Sequence, residues 1–187
     1  METGIIIQTR YNSSRFKGKV MQKVNGQTIL NIIIKRLRKS KYLSKNIIVA
    51  CTKNKNDKKI IDFCKKNKID FYVGNEKNVL ERYFCTAKKY NLKNIIRITS
   101  DCPCIDSEIL DKIYKCFKKN NYDYVSNTLE PSYPDGLDVE IFNFKSLEIA
   151  HKKARSSYDI EHVTSYIKKH TKFKKYNFFN DKDLSNI

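Results

Sequence analysis

GIIIQTRYNSSRFKGKV, residues 4–20, joins an apolar, β-branched run to a polar and strongly cationic segment. The run Gly4–Thr9 has the composition of a buried β-strand. Similar short runs recur along the chain, and amphipathic segments of helical period separate them. This alternation predicts an α/β fold with a mostly parallel central sheet flanked by helices. The further predicted strands are Asn46–Cys51, Asp70–Val73, Asn94–Thr99 and Tyr122–Ser126.

The predicted helices begin at residues that favour N-caps. Thr28, Asp57 and Asn78 each precede an apolar stripe of helical spacing. A fourth stripe, from Ile105 to Phe117, follows Pro103. Since ligands of such sheets bind beyond the carboxyl ends of the strands, the loops after the first and fourth strands are the expected functional loops.

The second half of the chain departs from this rhythm. PSYPDG, residues 131–136, consists of turn residues, and a strand-like LDVEIF follows it. Helices are predicted near Lys145–Ala154 and Asp159–His170, and a last strand near Lys174–Phe178. We interpret residues 1–187 as a single domain in which residues 128–172 form an excursion that folds over the sheet.

Composition restricts the class of protein. The net charge of +18 first suggests nucleic acid as a partner, but the lysines are spread along the whole chain, and charge alone indicates only non-specific affinity. The sequence has no apolar stretch long enough to span a membrane and no basic, apolar leader. Its six cysteines form no C-x-x-C pair and no disulfide framework. We therefore expect a cytoplasmic protein with no specific nucleic-acid partner.

The loop of residues 10–20 combines cations, hydroxyls and a glycine at the end of the first strand. Amides and hydroxyls of such a loop can surround phosphate oxygens, while Arg and Lys neutralise charge. The alternative is a solvated basic loop, and the residues alone leave the two interpretations about even. The side chains concerned are Arg10, Asn12, Ser13, Ser14, Arg15, Lys17 and Lys19.

Three acidic motifs follow. In ITSDCPCID, residues 98–106, Asp101 is placed either to hold a hard cation such as Mg²⁺ or to cap a turn. In YPDGLDVEIF, Asp138 and Glu140 alternate on one face of a predicted strand, although a polar outer face is the simpler interpretation. In DIEHVTSYI, residues 159–167, Glu161 and His162 are adjacent, and a lone histidine of this kind is more often structural than catalytic.

Together and in this order, these motifs resemble one family, the bacterial cytidylyltransferases of the spore coat polysaccharide biosynthesis type. These are relatives of the enzymes that make CMP-sialic acid and CMP-Kdo. The resemblance runs from Ile5 to about Ile167 and rests on QTRYNSSRFKGKVM, RITSDCPCID, YVSNTL and YPDGLDVEIF. It implies a Rossmann-like nucleotidyltransferase fold that transfers CMP from CTP to a small acceptor, an acidic sugar, with release of pyrophosphate.

The resemblance also implies roles for individual residues. Arg15, Lys19 and Asp101 would be the catalytic residues. Residues 128–172 would form a lid on the acceptor side. The protein would form a homodimer. The nucleotide would be bound by Gln8, Arg10, Ser13, Ser14, Arg15 and Lys19, the Mg²⁺ by Asp101 and Asp138, and the acceptor by Asp138, Glu140, Glu161 and His162.

One departure from the family pattern, together with the net charge of +18, keeps alternatives open. Family members continue past the last residues, NDKDLSNI, with a segment like Val-Asp-Thr-Pro-Glu-Asp whose first Asp is expected to bind metal, so the C-terminal end of the family domain is expected to be missing. A CTP-binding module without turnover is therefore one alternative, and a basic nucleic-acid-binding protein is another. The residues alone also do not discriminate CTP from UTP or GTP.

Overall fold

The computed structural model describes residues 2–12 and 16–186. In these residues, strands and helices alternate along the chain as the sequence predicts. Each predicted strand is present, with bounds that differ from the prediction by at most two residues for the five runs of the first half. The strands are β1 Thr3–Gln8, β2 Lys23–Val24, β3 Gln27–Thr28, β4 Ile47–Thr52, β5 Asp70–Gly74, β6 Asn94–Thr99, β7 Tyr124–Ser126, β8 Glu140–Asn143 and β9 Lys175–Asn177.

Seven of these strands form one sheet in the order β5-β4-β1-β6-β8-β7-β9. β1 lies between β4 and β6 and is parallel to both. β8 is antiparallel to both of its neighbours, β6 and β7. The edge strands pair in parallel with their neighbours, β5 with β4 and β9 with β7. The prediction of a mostly parallel sheet flanked by helices is therefore confirmed. β2 and β3 form a separate two-stranded ribbon.

Local capping begins several helices. The side chain of Thr28 accepts a hydrogen bond from the backbone N of Asn31 at 3.2 Å, and that of Asn78 from Glu81 at 2.8 Å. Asp57 makes no such bond. The helices are α1 Ile29–Leu37, α2 Lys58–Lys66, α3 Val79–Lys89, α4 Ser107–Lys119, α5 Phe144–Lys153, α6 Ser157–His162 and α7 Ser165–Lys169, with short 3-10 helices at Lys19–Met21 and Lys55–Asp57.

Two elements of the second half differ from the prediction. The strand predicted from LDVEIF begins only at Glu140, because the side chain of Asn127 binds the carbonyl of Leu137 and the amide of Val139 in place of a neighbouring strand. The helix predicted over Asp159–His170 is two short helices, α6 and α7. They are separated at Val163, whose φ of 59° is outside the helical range.

Helices cover both faces of the sheet. Alternate residues of β1 point to opposite sides: Ile5 and Ile7 pack with α1, α2 and α4, whereas Ile6 packs with α3, α5 and α7. The buried apolar side chains on both faces fix the register of the strands. As a result, the carboxyl ends of β1 and β6 lie side by side, with Gln8 opposite Thr99. Among the described residues, no helix has the length and apolarity needed to cross a membrane.

Candidate functional site

A cavity of about 540 Å³ opens at the carboxyl ends of β1 and β6. This is the edge of a parallel α/β sheet where ligands bind. The loop after β1, the loop after β6, the start of α3 and the end of α6 all contribute to its wall. The lining residues are Gln8, Thr9, Arg10, Lys19, Val20, Glu76, Lys77, Val79, Arg82, Arg97, Thr99, Ser100, Asp101, Glu161 and His162.

Most of the residues predicted from the sequence meet at this cavity. Gln8, Arg10 and Lys19 come from the first loop, and Asp101 comes from the loop after β6. The predictions for Ser13, Ser14 and Arg15 fall outside the described residues.

A buried carboxylate fixes the start of the first loop. Asp57 is completely buried, and its two oxygens accept hydrogen bonds from the backbone N of Tyr11 and of Thr52, each at 2.7 Å. Farther along the loop, the N of Gly18 donates to the carbonyl of Tyr11 at 2.7 Å. Gly18 has a φ of 76°, and a Cβ there would lie 2.9 Å from the Tyr11 ring, so glycine is required. These contacts place Arg10 and Lys19 on one cavity wall.

Arg82, which the sequence analysis did not single out, is a buried cation in the cavity wall. Its side chain is about 1% exposed, and Nη1 donates to the backbone carbonyls of Asn75 and Glu76. Within residues 2–12 and 16–186, Nε has no acceptor and no carboxylate lies within ion-pair distance of Arg82. Burial lowers the pKa of this guanidinium. The buried Asp57 carboxylate acts on Arg82 only from beyond ion-pair distance, and a buried cation without a direct ion-pair partner suits an anionic ligand. The available signal was an arginine between the buried apolar residues of α3.

Arg97, which the sequence analysis also did not single out, differs from Arg82 because it forms an ion pair with a carboxylate. Its Nη1 lies 2.9 Å from Oε1 of Glu140, which stands opposite it on β8, and the Lys168 ammonium lies 3.3 Å from the same oxygen. Burial would raise the pKa of Glu140, but Arg97 and Lys168 hold it below its ordinary value. The Glu140 carboxylate therefore lies inside the fold, where it holds Arg97. Glu140, which the sequence analysis expected to contact the acceptor, is not among the residues that line the cavity.

The two predicted metal ligands differ in their position relative to the cavity. Asp101 is exposed in the cavity wall, whereas Asp138 is exposed but does not line the cavity. Burial, and after it the charges of Asp101, Asp138 and Asp135, raise the pKa of the Cys102 thiol to about 11, and Oδ1 of Asp101 lies 3.8 Å from this sulfur. No group of three or more His, Cys, Asp or Glu among the described residues forms a complete metal site. The donor set fits Mg²⁺, which takes one or two carboxylates together with ligand phosphate oxygens.

Glu161 and His162 also line the cavity, at the end of α6. Both side chains are exposed, and the His162 ring lies 4.3 Å from the Tyr158 ring. The two residues are adjacent, yet both line the cavity, because the helix ends there and the chain turns sharply at Val163.

Comparison with known proteins agrees with this architecture. The family model described as Cytidylyltransferase matches residues 4–184. The chain is 43% identical over 162 residues to an uncharacterised protein of Methanocaldococcus jannaschii, covering 87% of this chain and 65% of that one, just under two thirds of its length. It is 30% identical over 171 residues to the spore coat polysaccharide biosynthesis protein SpsF of Bacillus subtilis, covering 88% of this chain and 69% of SpsF.

Solved structures show the same relationship. A cytidylyltransferase from Leptospira borgpetersenii superimposes with a TM-score of 0.94 at 35% identity, covering 99% of this chain and 79% of that one. A CMP-2-keto-3-deoxy-manno-octonic acid synthetase complexed with CTP has a TM-score of 0.71 at 12% identity, over 96% and 91% of the two chains, and shows that the fold is shared. The resemblance found in the motifs is thereby confirmed, and the chain belongs to the cytidylyltransferase family.

Proposed function

We propose that the protein transfers CMP from CTP to a small acidic sugar destined for cell-surface polysaccharide, with release of pyrophosphate. The observation that carries this proposal is the shared cavity, which brings Arg10 and Lys19 of the first loop together with Asp101 of the loop after β6. The family supports the nucleotidyl transfer. The names of two relatives, SpsF and a 3-deoxy-manno-octulosonate cytidylyltransferase of Fusobacterium nucleatum, support the acidic sugar and the polysaccharide.

The triphosphate would lie along the cationic wall. Arg10, Lys19 and the buried Arg82 supply positive charge there, and charge-assisted hydrogen bonds from such side chains to phosphate oxygens are stronger than neutral ones. Gln8 would lie beside the cytosine. Its Oε1 is buried without a hydrogen-bond partner among the described residues, so a ligand donor could satisfy it.

Magnesium fits the acidic side of the cavity. Asp101, with Asp138 nearby, would hold Mg²⁺ together with phosphate oxygens. The ion would supply charge neutralisation on those oxygens when bound.

The reaction is an in-line displacement at phosphorus. A hydroxyl oxygen of the acceptor forms a bond to the α-phosphorus, and the bond from this phosphorus to the oxygen that bridges to the β-phosphate breaks. Pyrophosphate leaves with that electron pair, and the hydroxyl proton is released to solvent. The chain orients the reactants and stabilises charge: Arg10 and Lys19 act on the leaving pyrophosphate, and Glu161 and His162, which line the same cavity, face the acceptor.

The test is to combine calorimetry with CTP and Mg²⁺ and a pyrophosphate-release assay over a panel of acidic sugars. Lys19→Ala and Asp101→Ala should each abolish pyrophosphate release while the fold is kept. Lys17→Ala is the matched control, since Lys17 is an exposed lysine of the same loop outside the cavity wall. Pyrophosphate release retained by either cavity variant would contradict the proposal. Tight CTP binding by the wild type with no release for any acceptor would favour a binding module, and UTP and GTP test the choice of base.

A further inference from the structure

The chain makes a strained turn directly after Glu161 and His162. Val163 has φ 59° and ψ −57°, and the N of Thr164 donates to the carbonyl of His162. A hydrogen bond across a single residue at these angles defines a γ-turn, a rare and strained conformation. A β-branched residue with positive φ is a pronounced outlier, and Val163 is completely buried. Such a turn persists only where its surroundings hold it, and such turns concentrate at functional sites.

The side chain that follows the turn is tied to the buried ion network. Thr164 is about 1% exposed, and its hydroxyl donates to Oε2 of Glu140. Oε1 of the same carboxylate is held by Arg97 at 2.9 Å and by Lys168 at 3.3 Å. Thr164 is therefore attached to β8, and through Arg97 to β6, which contributes to the cavity.

A second set of contacts spans the turn. The hydroxyls of Ser156 and Ser165 donate to the two oxygens of Asp159, at 2.7 Å and 2.6 Å, so α6 and the start of α7 are joined by one carboxylate. Ser156 also accepts from the N of Asp159 and caps α6. The turn at Val163 is thus held by two sets of contacts. One is formed by Asp159 with Ser156 and Ser165, and the other is the bond from Thr164 to Glu140.

We propose that Thr164 is a positioning residue: by donating to Glu140 it holds the γ-turn at Val163 and thereby keeps Glu161 and His162 directed into the cavity. The identification of their ligand as the acceptor rests on the proposed function, whereas the positioning itself does not. Neither Thr164 nor Glu140 lines the cavity, so both act through their neighbours.

The test compares Thr164→Val, which keeps the shape and removes the donor, with Thr164→Ser, which keeps the hydroxyl. Thr164→Ala is a second donor-free variant in case the valine protein does not fold. Thr171→Val is the matched control, because Thr171 is an exposed threonine near the end of α7. The first readout is NMR of the histidine rings, of which the chain has 3. The His162 signal is sensitive to the Tyr158 ring beside it. His151 of α5, whose ring is stacked on Phe84 of α3, serves as internal reference.

We expect the donor-free variants to shift the His162 signal and leave that of His151 in place. They should raise the acceptor KM between about tenfold and about a hundredfold, the scale of a misplacement of about 1 Å, with CTP affinity within about twofold of wild type. The serine variant should restore both readouts. A His162 signal that is unchanged in a folded donor-free variant, or not restored by serine, would overturn the inference. If the wild type releases no pyrophosphate, the proposed function fails, and the histidine signals still decide whether Thr164 positions the turn.

Discussion

The same substitution at the two buried arginines of the cavity should change the free energy of unfolding by very different amounts. Arg82→Met removes a guanidinium that has no carboxylate partner among the described residues and whose Nε has no acceptor there. Arg97→Met removes one of the two cations that form ion pairs with Glu140, whose side chain is only 7% exposed. Methionine fills a similar volume in both cases, so the difference isolates the contribution of a direct ion pair with a buried carboxylate.

The magnitudes follow from these contacts. Arg82→Met loses two hydrogen bonds to loop carbonyls, each worth about 1 to 3 kcal/mol. It also removes the cost of an unsatisfied buried Nε, about 1 to 3 kcal/mol, and the cost of desolvating a buried cation. We therefore expect its free energy of unfolding to lie within about 1 kcal/mol of wild type or above it. Arg97→Met leaves a buried carboxylate with only Lys168 and Thr164, which should cost about 3 to 5 kcal/mol.

Urea unfolding at neutral pH measures both variants, provided that the m-value stays constant. The double variant Arg97→Met with Glu140→Met should recover most of the stability lost by Arg97→Met alone. Calorimetry should show that Arg82→Met weakens CTP binding by about tenfold to about a hundredfold, the equivalent of one charge-assisted hydrogen bond. Equal destabilisation by both arginine substitutions, or unchanged CTP affinity of Arg82→Met, would refute the reasoning.

Two further predictions concern the buried carboxylates. Asp57→Asn can satisfy only one of the backbone donors of Tyr11 and Thr52, so it should lower the free energy of unfolding by about 2 kcal/mol and weaken CTP binding by loosening the first loop; unchanged CTP affinity in calorimetry would contradict the anchoring role. Glu140 has a folded-state pKa below its ordinary value of 4.5, so its contribution to stability is complete above that pH and is lost as the pH falls below 4.5 through the folded-state pKa. Urea unfolding between about pH 3 and about pH 6 should therefore show a steeper loss of stability for wild type than for Glu140→Gln, and identical slopes would count against an ionised Glu140.

Local signals explain why much of the fold follows from the sequence. The N-caps at Thr28 and Asn78 bind amides only three residues away, so the residues that form each cap are neighbours in the chain. The strands were visible as β-branched runs because both faces of the sheet are covered. Arg10, Lys19 and Asp101 line one cavity because loops at strand ends meet at one edge of a parallel sheet.

The sequence by itself therefore determined the parallel α/β architecture and the loops that line the cavity, since periodicity and strand-end position are local properties. Only the tertiary structure decided which polar groups are buried together. Asp57 reaches Tyr11 across 46 positions, and Arg97 reaches Glu140 across 43. The character of these side chains depends on partners that chain folding alone brings into contact: Glu140 forms ion pairs with Arg97 and Lys168, whereas no carboxylate of the described residues lies within ion-pair distance of Arg82. No pattern of neighbouring residues encodes that difference.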